Sequence, residues 1–320
     1  MASPNSTFTE LVTTTLREHP SEIHDNVSTH SAFYRRLKSK GQIEAIDGGT
    51  SIVRSLDYAE NSTFQRYDGY DTLNVAASDV LSAAEYNWKQ SAVHVVASGR
   101  ELRINSGSNQ IANLAKARLK NAMRTAANNM SVDLYGSASL TNQIGGLGHI
   151  ITTDGTGTVG GIGAGTYTWW KNQFLDATGT NPSSGTVLKG DMMSLWLSCV
   201  RGTDKPDLIL STNDFYTYFW ESLTDLQRYG DGGGKATAGF DSLKFMSADV
   251  VHDVNTNFTS TGEKMYFVNT DYLTLVEHRA ARWTQMDDKM SVNQDAVVMP
   301  ILWMGQLTCS NRARQGVLFD

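Results

Sequence analysis

Apolar residues from Ser108 to Tyr135 recur at the helical period: Ile111, Leu114, Ala115, Leu119, Ala122, Met123, Ala126, Met130 and Leu134. Lys116, Arg118, Lys120, Arg124 and Asp133 fall mostly off that stripe; Ser106 or Ser108 can cap its start, and Gly136 ends it. At 1.5 Å per residue such a helix is about 40 Å long, and its single stripe needs a sheet or a neighbour along the whole length. Ahead of it the texture is extended. Gly48 to Tyr58 predicts a strand opened by a glycine turn, and Ser91 to Leu102 a returning strand. Between them residues 59–90 contain few core-forming runs, yet carry Phe64, Tyr67, Tyr70, Tyr86 and Trp88. A long connection bearing aromatics suits docking onto another surface.

After the helix, residues 137–190 are rich in Gly and Thr, with one helical stretch predicted from Tyr167 to Ala177. Helices are then predicted over Asp191–Arg201 and Asn213–Arg228, flanking a buried strand at Leu208–Ser211. A second glycine loop covers 230–239. Strands follow at 243–246, 250–254, 264–269, 272–276 and 297–308. Residues 1 to about 40 read as a polar arm with isolated apolar positions and a short helix at Thr9–Arg17. Such an arm buries too little to fold alone, so it is expected to be either disordered or ordered by a partner.

Composition narrows the classes. With 320 residues the chain is long enough for about two domains without disulfides or metals. Charged residues are 19%, below the usual ~25%, which suits a surface covered by neighbours. The net charge of −6 argues against tight nucleic-acid binding as the main task. Cys199 and Cys309 sit in apolar runs and read as buried free thiols. Residues 1–20 contain no apolar core of a leader, and the uncharged run from Ala296 to Cys309 is short and interrupted by Pro300 and Gln306. The expectation is a protein made in the cytoplasm, with no membrane contact.

Chemistry is sparse. Gly155-Thr156-Gly157-Thr158-Val159-Gly160 fits a dinucleotide pattern, but the glycines that follow cannot open the helix that pattern needs. Gly230 to Lys235 is one residue short of a phosphate loop, and Ala236 replaces its Ser or Thr. Three of the seven histidines lie in the arm, none joins a metal-spaced cluster, and Asp287-Asp288 reads as a solvated turn. No catalytic, cofactor or metal site is expected. Basic residues gather at Arg35, Arg36, Lys38 and Lys40, on the long helix, and at Arg312 and Arg314. They form solvated or salt-bridging faces, or else meet enclosed DNA or an acidic neighbour.

The order of parts, with Tyr67-Asp68-Gly69-Tyr70 ahead of the long helix, Gln143-Ile144-Gly145-Gly146-Leu147-Gly148-His149-Ile150-Ile151 right after it, Lys264 to Thr270, and Met304 to Gly316 at the end, resembles the tailed-bacteriophage major capsid proteins of the Hong Kong 97 fold. The resemblance spans about residues 35–320, and its specificity lies in the order of the motifs. It implies an α+β fold with an N-terminal arm at 1–44, an E-loop with flanking P-domain strands at 45–104, a P-domain spine helix at 105–136, an A domain at 137–245, and strands of both domains at 246–320. It implies self-assembly through pentamers and hexamers into an icosahedral head around double-stranded DNA, the DNA held by weak, non-specific contact, within a virion assembled in the host cytoplasm. Phe64, Arg66, Tyr67, Tyr70, Tyr86 and Trp88 are the expected E-loop contacts, aromatics and Arg being enriched at interface centres. Residues 41–88 contain no lysine, so the isopeptide weld of some relatives is not expected. The arm is too short to be a built-in scaffold; a separate scaffolding protein, a portal and a cement protein are the implied partners. Two alternatives stand beside this reading: an encapsulin-like nanocompartment shell, and a two-domain α/β enzyme using a nucleotide.

Overall fold

The computed structural model describes residues 31–98, 100, 108–177, 185–227, 243–253, 262–286, 289–290 and 294–320. The expected helix at 9–17, the glycine loop at 230–239 and Asp287-Asp288 lie outside them. The first element, α1 (Ala32–Ser39), falls in the segment read as an arm. Ser31 caps it, its hydroxyl accepting from Tyr34 N–H, and Phe33 and Leu37 are fully buried. Two apolar residues one turn apart suffice to dock a short helix when the rest of the chain supplies the core.

Strand β1 (Ile43–Ile46) leads into β2 (Ile52–Asp57), which pairs antiparallel with β3 (Leu81–Tyr86). Then come β4 (Lys89–Ser98) and the long helix α2 (Ser108–Tyr135), of 28 residues as the periodicity predicts. Ala122, Ala126, Met130 and Leu134 are its buried line, one every four residues, whereas Met123 is exposed. The segment after α2 explains its own glycines. A Cβ on Gly146 would stand 2.3 Å from Asp133 O and 2.5 Å from Leu134 O, and one on Gly148 3.0 Å from Tyr135 O. Bare backbone is required where the end of α2 meets α3 (Leu147–Ile150). The dinucleotide-like glycines form a tight hairpin instead, β5 (Thr158–Val159) and β6 (Ile162–Gly163). Gly160 and Gly161 both have positive φ, the geometry of a two-residue turn in a right-twisted hairpin.

The predicted helix at 167–177 is absent. Residues 168–170 make one 3-10 turn and β7 (Gln173–Asp176) follows. Burial there alternates with period two, and Asn172 fixes the bend, accepting from Thr152 N–H and donating to Thr152 O. Helix α4 (Gly185–Cys199) begins six residues earlier than the sequence suggests. Beyond it are β8 (Leu208–Ser211), α5 (Asn213–Gln227), β9 (Leu243–Phe245), β10 (Ala248–His252), β11 (Lys264–Val268), β12 (Leu273–Gln285), β13 (Lys289–Met290), β14 (Ala296–Cys309) and β15 (Gly316–Phe319).

One sheet runs β1-β12-β14-β13, with β4 also on β14; the other runs β7-β15-β11-β8-β10-β9. In the six-stranded sheet β8 and β10 are parallel across α5, a βαβ unit. The side chains of this sheet divide between two cores. Ile209, Met265, Phe267 and Leu318 face α4 and α5. Leu208, Leu210, Tyr266, Val268 and Val317 join the larger core that holds the end of α2, α1 and the base of the hairpin. The α+β architecture is thus one continuous body. A bulge interrupts β12 between Glu277 and Thr284, where Trp283 takes φ +51° and stacks on Trp303.

Candidate assembly interface

Strands β2 and β3 are in continuous register from Ile52–Tyr86 to Asp57–Leu81 and carry residues 58–80 between them. Ile52, Leu56, Ala84 and Tyr86 alternate inward and are buried, so the base of this hairpin belongs to the core. The Tyr86 hydroxyl donates to Cys309 O at 2.8 Å and accepts from Cys309 N–H at 3.1 Å. Burial holds the Tyr86 hydroxyl above its ordinary pKa and pushes the Cys309 thiol up to about 12, so both stay neutral. Glu85 N–H donates to Gly160 O, and a Cβ on Gly160 would lie 2.7 Å from Ala84 Cβ. Tyr58 stacks on Trp169 at 5.2 Å, and Arg54 donates to Thr308 Oγ1 and Glu44.

The turn segment beneath this base is itself pinned. Arg312 is fully buried and donates to Ile150 O, to Thr152 Oγ1 at 3.0 Å and to Thr156 O at 2.6 Å. Burial lowers its pKa, yet a guanidinium remains charged at any pH the fold meets. Cys199, the other thiol, is also buried and pushed up to about 12 by desolvation.

Beyond Tyr58 the character changes. Residues 61–78 are held by their own polar groups. Asn61 Oδ1 accepts from Thr63 N–H, Asp71 accepts from Asp68 N–H, and Gln65 bridges to Thr72 O and Asn74 N–H across the loop. These are Asx-type and amide bonds, which shape a turn without burying anything. Phe64 is 78% exposed, Tyr67 64%, and Tyr70 wholly exposed; Leu73, Val75 and Leu81 stand in solvent as well. The Arg66 guanidinium lies over the Phe64 ring at 5.7 Å, which pre-arranges both side chains.

The six residues singled out in the sequence therefore separate. Phe64, Arg66, Tyr67 and Tyr70 share the projecting loop. Tyr86, 5% exposed, is a core residue of its own chain, an assignment the expected contact set did not make. Trp88 is half-buried at the return, its indole N–H on Gly49 O at 2.9 Å and its ring edge-on to His278. Leu73, Val75 and Leu81 were not singled out, although an apolar residue inside a polar, unpatterned stretch is itself a signal. Leu197 was also missed: it lies opposite the buried Leu188-Met192-Leu195-Cys199 line of α4 and is 64% exposed.

No family model matches the sequence, and no curated protein matches it. Solved structures do match over nearly the whole length. The capsid asymmetric unit of cyanophage A-1(L) shares 14% identity with a TM-score of 0.65, covering 95% of this chain and 96% of that one. The holo-SrpI encapsulin complex from Synechococcus elongatus matches at 10% identity and TM-score 0.56, over 98% and 95%. The capsid of Myoviridae phage XM1 matches at 13% and 0.54, over 95% and 97%. All three likenesses are to capsid or encapsulin structures, and what they share with this chain is the fold. The fold of this chain is the Hong Kong 97-like fold of tailed-phage major capsid proteins.

Proposed function

We propose that the protein is the major capsid protein of a tailed phage, the subunit from which an icosahedral head is built. The observation that carries this reading is the hairpin: a base locked into its own core, and a loop whose apolar side chains are exposed. Burying a large apolar side chain contributes about 1.5–3 kcal/mol, so Phe64, Tyr67, Tyr70, Leu73 and Val75 together favour a covering partner. In a shell of identical subunits that partner is another copy, and many weak contacts made together sum to a stable wall. The residues assigned to the contact are Phe64, Arg66, Tyr67 and Tyr70, with Trp88 at the root of the loop. Leu197 on α4 extends the contact surface on the other part of the subunit.

The same reading makes pentamers and hexamers the building units, packaged double-stranded DNA the content, and the virion the location, after assembly in the host cytoplasm. A separate scaffolding protein, a portal and a cement protein are its further partners. The likeness to an encapsulin complex supports a second reading, a nanocompartment shell, on the same fold. The nucleotide-enzyme reading is disfavoured by the hairpin that residues 155–163 form in place of a strand-to-helix loop. No helix among the described residues is long and apolar enough to cross a membrane.

Sedimentation velocity and negative-stain microscopy of the purified chain test the proposal. Closed shells, or rings that close when a scaffold is co-expressed, are the expected result, and shell diameter with co-purifying DNA separates phage head from nanocompartment. A monomer that stays single under both conditions overturns both readings.

A further inference from the structure

A groove of about 250 Å³ lies between α1, α2 and the bulged stretch of β12. Its floor is Ala126, Met130 and Leu134, all buried; its walls are Tyr34 and Trp283, both half-buried. Ala127 and Met123 stay exposed at the open side, Met123 at 42%. Trp283 reaches the groove from a backbone at φ +51°, a conformation costly for an aromatic residue and maintained only where its surroundings impose it. Methionines at 123 and 130 suit a surface that must fit a ligand of irregular shape. The groove is thus apolar, partly lidded by a strained aromatic, and open.

What covers it is indicated by where the chain enters. Ser31, the first described residue and the cap of α1, lines the groove, and residues 1–30 precede it in the chain. Within them Phe8, Leu11, Val12 and Leu16 fall on one face at helical spacing, with Glu10, Arg17 and Glu18 off it. From Phe8 to Leu16 a helix measures about 12 Å, and the α2 residues lining the groove, 123 to 134, span about 16 Å. Residues 17–30 reach up to about 45 Å when extended, and Pro20 allows the chain to turn back.

We propose that the groove between α1 and α2 is the seat of this chain's own N-terminal segment, with Phe8, Leu11, Val12 and Leu16 set against Met123, Ala127, Met130 and Trp283. This assignment is independent of the shell reading, and its failure leaves that reading untouched.

Hydrogen exchange on the unassembled subunit, as the full chain and as a chain lacking residues 1–30, gives the first test. Amides of 118–135 and 31–37 are expected to lose at least tenfold in protection on truncation; equal exchange in both chains overturns the proposal. Cross-linking the full chain gives the second, and needs no truncation to fold. Leu11→Cys with Ala127→Cys, and Val12→Cys with Met123→Cys, are oxidised in turn; Cys199 and Cys309 are buried and stay out of the reaction. A disulfide within one chain, seen as a faster band on a non-reducing gel with no dimer, is expected for at least one pair. A ladder of dimers would assign the segment to a neighbouring copy, and no disulfide in either pair would leave the groove to a separate partner; each result overturns the assignment.

Discussion

The root and the tip of the hairpin sit on the same two strands and obey opposite rules. At the root, side chains alternate in and out, and the buried Tyr86 hydroxyl has its partner far away in sequence, at Cys309. At the tip, the hydrogen bonds are local, joining residues at most sixteen apart, and the apolar side chains face water. Long-range partners fix the root against the subunit before any neighbour arrives. Local bonds give the tip a shape without satisfying its apolar surface. Under the proposed function the comparison separates what folds the subunit from what would join it to another, and it breaks if substitutions at the two ends have the same effect.

The largest loss is expected at the root. Tyr86→Ala opens a cavity beside Ile52, Ala84 and Cys309 and should cost about 3–5 kcal/mol, the range for removing a buried aromatic. Chemical denaturation of the unassembled subunit measures it. Arg312→Ala comes next. It leaves the buried Ile150 carbonyl without its donor, at about 1–3 kcal/mol for an unsatisfied group, while Thr156 O keeps its bond from the Thr152 hydroxyl. Thermal melts of the same fraction should place Arg312→Ala between Tyr86→Ala and the unsubstituted chain; a neutral result would show that the segment 150–156 is held by other bonds.

A smaller and pH-dependent effect is expected where α1 meets the six-stranded sheet. Burial pushes the Asp207 carboxyl up, but the bonds from Thr270 N–H at 2.7 Å and Thr270 Oγ1 at 2.8 Å, from Arg36 at 3.0 Å, and the nearby Lys40 outweigh it and hold its pKa below the ordinary value. A carboxylate with a depressed folded pKa adds stability above its unfolded pKa, near 3.9, and that stability fades as pH falls through the folded value. The gap between the unsubstituted chain and Asp207→Asn should therefore be about 1 kcal/mol at pH 7 and close below about pH 4. A gap unchanged between pH 7 and 3 would remove the ion pairs from the account.

The sequence made some of this division legible. The period of 108–135, the run at 208–211 and the long apolar stretch ending at Cys309 predict α2, β8 and β14, because each is set by its own burial pattern. Features resting on distant partners were hidden. Tyr86 resembles the loop aromatics along the chain, and only Cys309, 223 positions away, makes it core. Residues 167–177 carry the aromatics of a helix face, but pairing with β15 overrides local preference. The early start of α4 is masked by Gly185 and Gly190, and α1 by having only two apolar anchors. The glycines of 145–148 were visible as a motif; the reason for Gly146 and Gly148, backbone against the end of α2, required coordinates.

The smallest effect on the fold is expected at the tip, and there the comparison is most exposed. Phe64→Ser, Tyr67→Ser and Tyr70→Ser together remove three exposed rings. Exposed substitutions away from caps and networks usually change stability by less than about 0.5 kcal/mol each, so the unassembled triple variant should unfold close to the unsubstituted chain. Its assembly should fail, because the area those rings offer a neighbour is gone while nothing at the root has changed. A single Arg66→Ala should weaken assembly less, since it frees the Phe64 ring without removing it. If instead the triple variant assembles normally, the exposed loop is not the joint and the contact must be sought around Leu197. If it unfolds, the tip is carrying stability, and root and tip are one structural unit after all.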